Sequence, residues 1–543
     1  MYPDEPVEQR GSTTSAAAIH AIASPSHAFN FARHIIELNV HRAAKVAYTD
    51  DRGDLTYGDL ARRVRSFADS LHTIGLRREQ RVLLLLSDGN EWPVAFLGAL
   101  YAGIVPVPVN TLLTPDDYAY LIDHSGSAGA IVSRHILKNF TAGLARSTSK
   151  SCGPLIGTGP ELSGDTDQDV IDFSTLVSEG NSSYNGESTH ADAMAFWLYS
   201  SGSTGRPKGV VHTHANLFWT CELYAKRVLG LTEHDKVFSA AKLFFAYGLG
   251  NALSFPLTVG ASVVLMADRP TPESVFTRLK QHQPTIFCGA PTLYAGMIAS
   301  DHLPPKSSVA LRLCTSAGEA LPREVGERFT RHFSVEIIDG LGSTEMLHIF
   351  LSNRPGDIRY GTTGKPVDGY EVEIRDECGM ALKPNQIGDL WVSGPSAAVM
   401  YWNDRAKTRD TFHGPWLRTG DKYTCLEDGY FVYAGRNDDM LRISGQYVSP
   451  FEVESALIQH EAVLESAVVG VPDGFGISKC KAFIVLQAGV IPSATLASEL
   501  QFFVKERLAP FKRPHFVEFV SELPKTTTGK IQRFKLRELR SPG

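Results

Sequence analysis

This sequence has few cysteines, no long apolar run and no excess of positive charge. Its 543 residues include seven cysteines, an odd number without a CxxC pair, which argues against a disulfide framework or a zinc ribbon. The longest apolar candidate, residues 252–267, is interrupted by Pro256 and Gly260 and falls short of the ~18 residues that span a bilayer. Lys and Arg number 53 against 59 Asp and Glu, a net charge of −6 that argues against a general nucleic-acid-binding protein.

The N-terminus lacks the features of a secretory signal. It begins with Asp4, Glu5 and Glu8, and no basic segment precedes an apolar one. Residues 11–26 are rich in Ser and Ala, so we expect residues 1–27 to form a loose leader. These observations predict a soluble, cytoplasmic protein without a membrane-spanning segment.

From residue 55 onward, helical and strand patterns alternate. Thr56 is placed to cap a helix whose apolar residues recur every three or four positions until Gly75. Residues 82–86 form a continuous apolar run, which is typical of a strand buried on both faces. Similar runs follow at 104–109, 261–266, 285–288 and 335–339. This succession predicts an α/β fold with parallel sheets layered against helices, whereas residues 150–192 are rich in Ser, Gly, Thr and Asp and are predicted to be mostly loop.

A second, smaller unit is predicted to begin near residue 436. Ser449, Pro450 and Glu452 have the spacing of a capping box with proline at the first helical position. Strand candidates at 468–471, 483–486 and 516–520 surround a helical pattern at 497–508. We therefore predict a large domain of layered sheets and helices over residues 28–435 and a small α+β domain over residues 436–543.

The segment Tyr199–Gly209 (YSSGSTGRPKG) is the strongest candidate for chemistry. Its glycines allow tight turns that direct backbone N–H groups toward a phosphate, and its hydroxyls and cations add further donors. It is not a Walker A loop, because the GxxxxGK[ST] pattern is absent. A flexible surface loop is the alternative, which the Arg-Pro-Lys sequence makes much less probable.

This segment resembles the phosphate-binding signature of the acyl-adenylate-forming superfamily, and five further resemblances follow in that family's order. They are SAGEALP (316–322), DGLGSTE (339–345), TGD (419–421), GRNDD with SG (435–439 and 444–445), and PKTTTGK (524–530). The similarity extends over roughly residues 30 to 540. It implies a large N-terminal domain, a small mobile C-terminal domain, and the substrates ATP with Mg²⁺ and, in many members, coenzyme A.

The resemblance also implies roles for individual residues. Glu345 is expected to hold Mg²⁺, Asp421 to accept the ribose hydroxyls, and Arg436 to support the ribose. Lys530 is expected to bridge the attacking carboxylate and the α-phosphate. The remaining residues expected to bind ATP or AMP are Ser200, Ser201, Gly202, Ser203, Thr204, Gly205, Lys208, Ala317, Gly318, Glu319, Asp339, Gly340, Leu341, Gly342, Ser343 and Thr344.

In this family the small domain turns between two half-reactions. Asp438 is at the expected hinge, and hinge residues absorb large changes in φ and ψ. After the rotation, Gly445 is expected to line the tunnel through which the CoA thiol reaches the adenylate. Arg442 and the pair Gln446-Tyr447 depart from the family's usual residues, which leaves the CoA contacts less defined than the nucleotide contacts.

The phrase KLFFAYGLG (242–250) occupies the place where the family forms its acyl pocket. No acidic residue lies between Phe244 and Pro256, so the ammonium of an amino-acid substrate would lack a counter-charge. Aromatic rings beside glycines suit a flat apolar group. Together with GSTEMLHIF and PKTTTGKIQRFKLR, the phrase resembles the benzoate–coenzyme A ligases in particular. That resemblance implies an aromatic carboxylate as substrate, in a pocket formed by Phe245, Ala246, Tyr247, Gly248, Gly340, His348 and Ile349.

Other functions remain open from the sequence. A stand-alone aryl-acid adenylation enzyme that loads a carrier protein is the nearest alternative, and a luciferase-like monooxygenase or a non-catalytic regulator that binds AMP or acyl-CoA is more distant. His212 and His214 alone do not make a zinc site. The sequence does not define the oligomeric state, and a homodimer is compatible with it. Lys530, which must be charged and mobile, is a potential target for a lysine acetyltransferase and deacetylase.

Overall fold

The computed structural model describes residues 22–159, 170–200, 206–436, 441–443, 446–472, 478–509, 512–525 and 531–538. Within these ranges no helix is long and apolar enough to cross a membrane. All seven cysteines lie in described segments, and each is a free thiol.

The strands are distributed over the whole described chain. Those of the first half are β1 (Val46–Asp50), β2 (Gly53–Thr56), β3 (Arg81–Leu85), β4 (Val105–Pro108), β5 (Gly129–Ser133), β6 (Leu155–Thr158), β7 (Val170–Asp172), β8 (Met194–Ser200), β9 (Lys208–Thr213), β10 (Lys236–Ser239) and β11 (Ser262–Val264). Those of the second half are β12 (Ile286–Gly289), β13 (Leu313–Ser316), β14 (Ile337–Gly342), β15 (Ile349–Ser352), β16 (Lys365–Pro366), β17 (Glu371–Arg375), β18 (Ile387–Ser393), β19 (Met400–Tyr401), β20 (Phe412–His413), β21 (Trp416–Cys425), β22 (Phe431–Arg436), β23 (Leu441–Ile443), β24 (Gln446–Val448), β25 (Val463–Pro472), β26 (Ser478–Leu486) and β27 (Phe516–Phe519).

Helices occupy most of the longer connections. They are α1 (Phe31–Leu38), α2 (Tyr57–Thr73), α3 (Glu91–Tyr101), α4 (Pro115–Ser125), α5 (Arg134–Arg146), α6 (Phe173–Glu179), α7 (His214–Thr220), α8 (Ala246–Leu249), α9 (Phe255–Val259), α10 (Pro272–His282), α11 (Pro291–Ala299), α12 (Arg323–Phe333), α13 (Arg405–Thr411), α14 (Pro450–Leu457), α15 (Ala494–Arg507) and α16 (Arg533–Glu538). Short 3₁₀ segments occur at Val40–Arg42 and Lys306–Ser308, and π-helical segments at Cys221–Lys226 and Gly250–Ser254.

Two large sheets form the main part of the fold. Five parallel strands make one sheet in the order β4-β3-β5-β6-β7. Nine strands make the other in the order β16-β15-β14-β13-β12-β10-β11-β1-β2, where β1, β11, β10, β12, β13 and β14 are parallel. Smaller sheets combine β19-β9-β8 and β17-β18-β21-β20, with β22 paired to β21. The predicted α/β fold of layered parallel sheets is confirmed.

Local signals in the sequence explain several of these elements. Helix α2 begins after Thr56, whose side chain accepts a hydrogen bond from the Asp59 N–H, and its apolar residues Leu60, Val64 and Phe67 are buried. The prediction of a mostly looped segment at 150–192 is wrong in part. β6 and β7 lie within it and extend the five-stranded sheet, and α6 follows them. Gly and Ser residues surround these short strands, so the apolar pattern typical of a buried strand was not recognisable in the sequence.

The C-terminal part has its own sheet and apolar core. β25 and β26 are antiparallel and β27 joins β26 in parallel. Val453, Leu457, Ile484 and Leu500 belong to a core cluster that these strands share with α14 and α15. A small α+β domain is therefore confirmed, whereas the domain limits at 27/28 and 435/436 stay predictions.

The predicted capping box at the start of α14 forms only in part. Ser449 accepts a hydrogen bond from the Glu452 N–H at 3.2 Å, as expected for an N-cap. The carboxylate of Glu452, however, accepts hydrogen bonds from Lys512 Nζ, with both oxygens at 2.6 Å. An ammonium with two short contacts to the carboxylate competes with the neutral backbone donor of a capping box.

Candidate functional site

The predicted phosphate loop connects the antiparallel strands β8 and β9. In the register of this pair, Tyr199 lies opposite Gly209, and Ser200 opposite Lys208. The residues between them that were predicted to bind phosphates, Ser201, Gly202, Ser203, Thr204 and Gly205, lie outside the described residues. The described ends of the loop therefore place one hydroxyl and one ammonium side by side at the tip of the hairpin.

Glu345 lies at this hairpin tip. Its Oε1 accepts a hydrogen bond from the Tyr401 hydroxyl at 2.8 Å and a longer one from Ser200 Oγ at 3.4 Å. Lys208 Nζ lies 5.2 Å from the centre of the Tyr401 ring. Burial lowers the pKa of Lys208, and nearby Lys407 lowers it further, while the carboxylate of Glu345 opposes both. The structure thus brings Ser200, Lys208 and Glu345 together, although they are predicted from two separate motifs.

Tyr401 is a site residue that the motif analysis missed. It lies on the two-residue strand β19, where it pairs with Val210 of β9. Burial raises the pKa of the Tyr401 phenol, and the neighbouring Glu345 carboxylate raises it further, so the hydroxyl stays a donor at neutral pH. No motif marks this tyrosine, because its position depends on strand pairing with a distant part of the chain.

Asp421 and Arg436 face each other on neighbouring strands. They are register partners of β21 and β22, and Arg436 Nη1 donates to Asp421 Oδ1 at 3.1 Å. The carboxylate of Asp421 raises the pKa of Arg436, and more distant Glu345 adds to the effect. The predicted ribose-binding pair is therefore close enough to the hairpin tip to share its electrostatic field.

Asp339 is the buried carboxyl group of the predicted adenine region. It lies at the end of the parallel pair β13–β14, opposite Ser316. Its Oδ2 accepts a long hydrogen bond of 3.5 Å from the Leu321 N–H, whereas the Ser316 side chain and the Gly340 N–H lie nearby and no donor reaches its buried Oδ1 with hydrogen-bond geometry. Burial raises the pKa of Asp339 from 3.8 to about 8. A buried carboxyl oxygen without a partner is costly, and such costs are typical of binding sites.

Two glycines among the predicted nucleotide residues, one after β13 and one at the end of β14, differ in their surroundings. Gly318 has a φ of +98°, which favours glycine, and it lies between Ala317 and Glu319 in the segment that follows β13. Gly342 leaves no room for a side chain, since a Cβ there would lie 2.5 Å from the His348 carbonyl oxygen. The backbone at Gly342 thus approaches the neighbouring strand closely.

The rest of the DGLGSTE segment is fixed by strand pairing and local hydrogen bonds. Leu341 pairs with Leu351 of β15. Ser343 Oγ accepts a hydrogen bond from the Met346 N–H at 3.1 Å, and the Thr344 carbonyl contacts His212 Nε2 at 2.8 Å. His212 is fully buried and burial lowers its pKa to about 4, so a neutral imidazole supports the segment that carries Glu345.

The predicted acyl pocket contains a cluster of rings around His348. The imidazole centre lies 5.5 Å from Tyr247 in a stacked arrangement, 4.4 Å from Phe255 edge-on, and 5.4 Å from Tyr224. Burial lowers the pKa of His348 to about 3, so the ring is neutral at neutral pH. Its Nδ1 is buried without a hydrogen-bond partner. The cluster is uncharged and largely apolar.

The remaining acyl-pocket residues connect this cluster to the predicted adenine region. The Tyr247 hydroxyl lies 2.6 Å from Thr315 Oγ1 on β13, directly before Ser316. A Cβ on Gly340 would lie 2.9 Å from Ile349 Cγ2, so this glycine keeps β14 and β15 close together. Phe245, Ala246 and Gly248 are at the start of α8; the first two are partly exposed and Gly248 is buried. The predicted aryl and nucleotide residues therefore belong to one continuous region.

Three predicted catalytic residues are not covered by the structure. Asp438, Gly445 and Lys530 lie outside the described residues, so their positions relative to Glu345 stay predictions. A cavity of about 250 Å³ lies elsewhere, at the ends of β3, β5 and β6. None of the predicted site residues lines it, and its two arginines are engaged by carboxylates: Arg52 by Asp50 and Glu91, and Arg134 by Asp172.

The raised pKa of Asp339 predicts a pH-dependent effect on stability. Between an unfolded pKa near 3.8 and a folded pKa of about 8, the folded state keeps a proton that the unfolded state has released. Stability therefore decreases as the pH rises through this window. Asp339→Asn should raise the thermal midpoint relative to the parent at pH 8 and change it little at pH 4. Exposed Asp301→Asn is the control, and an equal shift of the Asp339 variant at both pH values would contradict the assignment.

Similar proteins are known over nearly the full length of the chain. The benzoate–CoA ligase of Thauera aromatica is 51% identical over 537 residues, which cover 96% of this chain and 99% of the relative. The crystal structure of a benzoate CoA ligase from Burkholderia xenovorans LB400 has a TM-score of 0.88 and 56% identity, and the match covers 94% of this chain and 100% of that one. The anthranilate CoA ligase AuaEII, solved with anthranoyl-AMP, has a TM-score of 0.89 and 39% identity, over 95% of this chain and 98% of that one.

Family-level matches cover both parts of the chain. Residues 37–402 match the AMP-binding enzymes, and residues 452–530 match the C-terminal domain of AMP-binding enzymes. The first match includes the hairpin tip, Glu345 and the ring cluster, and the second ends at Lys530. On this evidence the chain belongs to the family of AMP-binding, adenylate-forming enzymes.

Proposed function

We propose that this protein is an aryl-CoA ligase that converts benzoate, or a substituted benzoate, to its CoA thioester. ATP and CoA are consumed, and AMP and pyrophosphate are released. One observation supports this proposal above all. The neutral ring cluster at Tyr247 and His348 is directly connected to the predicted nucleotide residues, which are Ser316, Asp339 and Gly340. Relatives named as benzoate CoA ligases are similar over nearly the whole chain, which supports the same substrate class.

In the first half-reaction, a carboxylate oxygen of the acid attacks the α-phosphorus of ATP. A P–O bond to pyrophosphate breaks, and the acyl-adenylate forms. Negative charge accumulates on the departing pyrophosphate, so cationic and hydroxyl donors stabilise the transition state. Ser200 and Lys208 are such donors at the hairpin tip. We propose that the loop between them adds further donors from Ser201, Gly202, Ser203, Thr204 and Gly205. Asp421 would accept hydrogen bonds from the ribose hydroxyls while Arg436 holds its carboxylate.

The donor set at the hairpin tip fits Mg²⁺ that arrives with ATP. Within the described ranges no group of three His, Cys, Asp or Glu side chains is arranged to hold a metal ion. Mg²⁺ commonly uses one or two carboxylates, waters and the phosphates of its nucleotide, so Glu345 alone is a sufficient protein ligand. Bound there, the ion would neutralise phosphate charge. Tyr401 and Ser200 orient the Glu345 carboxylate through its Oε1.

The ring cluster favours an uncharged aromatic group. His348 is neutral, and Tyr247, Tyr224 and Phe255 surround it. A ring bound beside them would gain stacking and edge contacts and would lose little solvation. No acidic residue lies between Phe244 and Pro256, and burial raises the pKa of the neighbouring Asp339 to about 8, so an aliphatic ammonium would be buried without an ionised partner near pH 7. Such burial is strongly unfavourable. The pocket thus selects against amino acids.

The second half-reaction would use the C-terminal part of the chain. We propose a small domain over residues 436–543 that turns about Asp438 relative to the domain of residues 28–435. After the turn, Lys530 would leave the α-phosphate and Gly445 would line the path of the CoA thiol. The sulfur attacks the acyl carbon, the thiol proton goes to solvent, and AMP leaves.

The cellular location, the oligomeric state and a modification of the enzyme can also be addressed. ATP and CoA are intracellular metabolites and the seven thiols are free, so we propose that the enzyme acts in the cytoplasm. A homodimer is compatible with the sequence, and light scattering determines the oligomeric state. We also propose that acetylation of Lys530 switches off the first half-reaction, because it removes the positive charge.

An acid panel tests the function. The protein is incubated with MgATP, CoA and a series of benzoates, aliphatic acids and amino acids, and thioesters are detected by mass. We expect benzoate or a close relative to be the best substrate. Pyrophosphate release without a thioester would favour an enzyme that loads a carrier protein. A thioester formed best from an aliphatic acid would contradict the aryl pocket.

The role of Lys530 predicts a separation of the two half-reactions. Lys530→Ala should lose adenylate formation, measured as pyrophosphate release, because the bridging charge is absent. It should still convert supplied benzoyl-adenylate and CoA to the thioester. Chemically acetylated Lys530 should behave in the same way. Equal loss of both half-reactions would contradict the proposed domain rotation.

Tyr401→Phe tests the orientation of Glu345. The substitution keeps the ring beneath Lys208 but removes the hydrogen bond to the carboxylate. A hydrogen bond to a charged group corresponds to roughly a tenfold effect or more, so we expect adenylation to slow by at least about tenfold. Half-saturation by Mg²⁺ should shift to higher concentration. Tyr430→Phe is the matched control, since the Tyr430 hydroxyl contacts the Asp357 carboxylate away from the site; equal effects in the two variants would refute a specific role.

A further inference from the structure

Helix α4 presents two side chains to the β8–β9 hairpin close to its tip. Tyr120 and His124 are four residues apart and therefore lie on one face of the helix. Their rings stack with centres 5.2 Å apart and an interplanar angle of 28°. Neither residue belongs to any of the motifs that identify the family.

His124 is linked to both of the strands next to the hairpin tip. Its Nδ1 lies 2.9 Å from the Tyr199 hydroxyl, and its ring lies beside the Trp402 main chain. Tyr199 directly precedes Ser200, and Trp402 directly follows Tyr401. One imidazole therefore connects the residue before Ser200 with the residue after the tyrosine that holds Glu345.

Tyr120 is linked to the opposite end of the loop. Its hydroxyl donates to the Pro207 carbonyl at 2.9 Å, and the Arg206 guanidinium carbon lies 5.2 Å from the centre of its ring. Pro207 directly precedes Lys208. The two neighbouring side chains thus contact both strands of the hairpin, one on each side of the predicted phosphate loop.

The helix that carries these residues is itself firmly anchored. Thr114 and Asp117 form a reciprocal capping box at its N-terminus, and Gly126 ends it in the left-handed conformation with φ of 55°. Tyr118, Leu121 and Ile122 on its inner side are buried. A rigid helix of this kind fixes the position of the side chains that project from its other side.

We propose that Tyr120 and His124 are positioning residues that hold the two strand ends at Ser200 and Lys208 in the spacing needed for the phosphates of MgATP. The inference rests on the proposed function for the identity of the nucleotide reaction. It assigns neither residue a contact with substrate. Both fix the main chain at the two strand ends next to Ser200 and Lys208. Without them, this main chain would have to become ordered when ATP binds.

The proposal predicts which half-reaction depends on the pair. ATP binding and adenylate formation need the phosphate-binding residues, whereas thioester formation from a supplied adenylate takes place after pyrophosphate has left. Loss of the pair should therefore weaken ATP binding and leave the second half-reaction unchanged.

The experiment compares Tyr120→Phe, His124→Phe and the double variant with the parent enzyme. Each single variant keeps an aromatic ring in the stack and loses one hydrogen bond. The dissociation constant of MgATP is measured by titration calorimetry without any acid, and we expect an increase of about fivefold for each single variant and tenfold or more for the double variant. The rate of thioester formation from benzoyl-adenylate and CoA, and the KM for the acid, should stay the same.

Two further variants separate positioning from general stability. His124→Asn keeps an acceptor near the position of Nδ1 and should restore most of the MgATP affinity that His124→Phe loses. Tyr184→Phe is the control, because its hydroxyl contacts Glu187 and its ring contacts His72 and Tyr101, none of which is a site residue. Thermal midpoints are measured for all variants.

Several results would overturn the inference. An unchanged MgATP dissociation constant in the double variant would do so, as would an equal fall in both half-reactions or an equal effect of Tyr184→Phe. If the parent enzyme binds MgATP but prefers a non-aromatic acid, the proposed substrate is wrong. A loss of MgATP affinity in the double variant would still support the positioning role in that case. The two failures are therefore distinguishable.

Discussion

The hydrogen bond from the Tyr401 hydroxyl to the Glu345 carboxylate holds the centre of the site together. It depends on three separate parts of the chain: the segment after β14, the short strand β19, and the β8–β9 hairpin with which β19 pairs. Lys208 lies over the ring of the same tyrosine. The Glu345 carboxylate and the Lys208 ammonium therefore need fixed partners. Without them, the two groups would pair with each other, and neither would be available to phosphate or Mg²⁺. Strand pairing provides that fixation.

The site also contains buried polar groups that the fold does not satisfy internally. Asp339 has one carboxyl oxygen without a partner, and His348 has an unpartnered Nδ1 among aromatic rings. Burial raises the pKa of the first to about 8 and lowers the pKa of the second to about 3, so both groups are largely uncharged near pH 7. The interior at the predicted nucleotide and aryl residues is therefore nearly neutral in charge. Such an interior suits an uncharged aryl ring next to a nucleobase.

Features carried by short stretches of sequence were predictable. Helix α2 and its cap at Thr56, the buried parallel strands and the small α+β domain all follow from local periodicity and turn residues. The candidate residues Ser200, Lys208 and Glu345 came from motifs, and the structure places them together. Tyr401, Tyr120 and His124 were not predictable, because their significance comes from contacts between segments that are far apart in the chain. The strands β6 and β7 were missed because they are short and surrounded by Gly and Ser.

Exchange of labelled pyrophosphate into ATP, measured without CoA, shows whether this site activates an aromatic acid by adenylation before CoA takes part. We expect exchange that depends on benzoate or a close relative and on Mg²⁺, and that Glu345→Gln abolishes. Exchange that requires CoA, or that proceeds equally well in the Glu345 variant, would contradict this expectation.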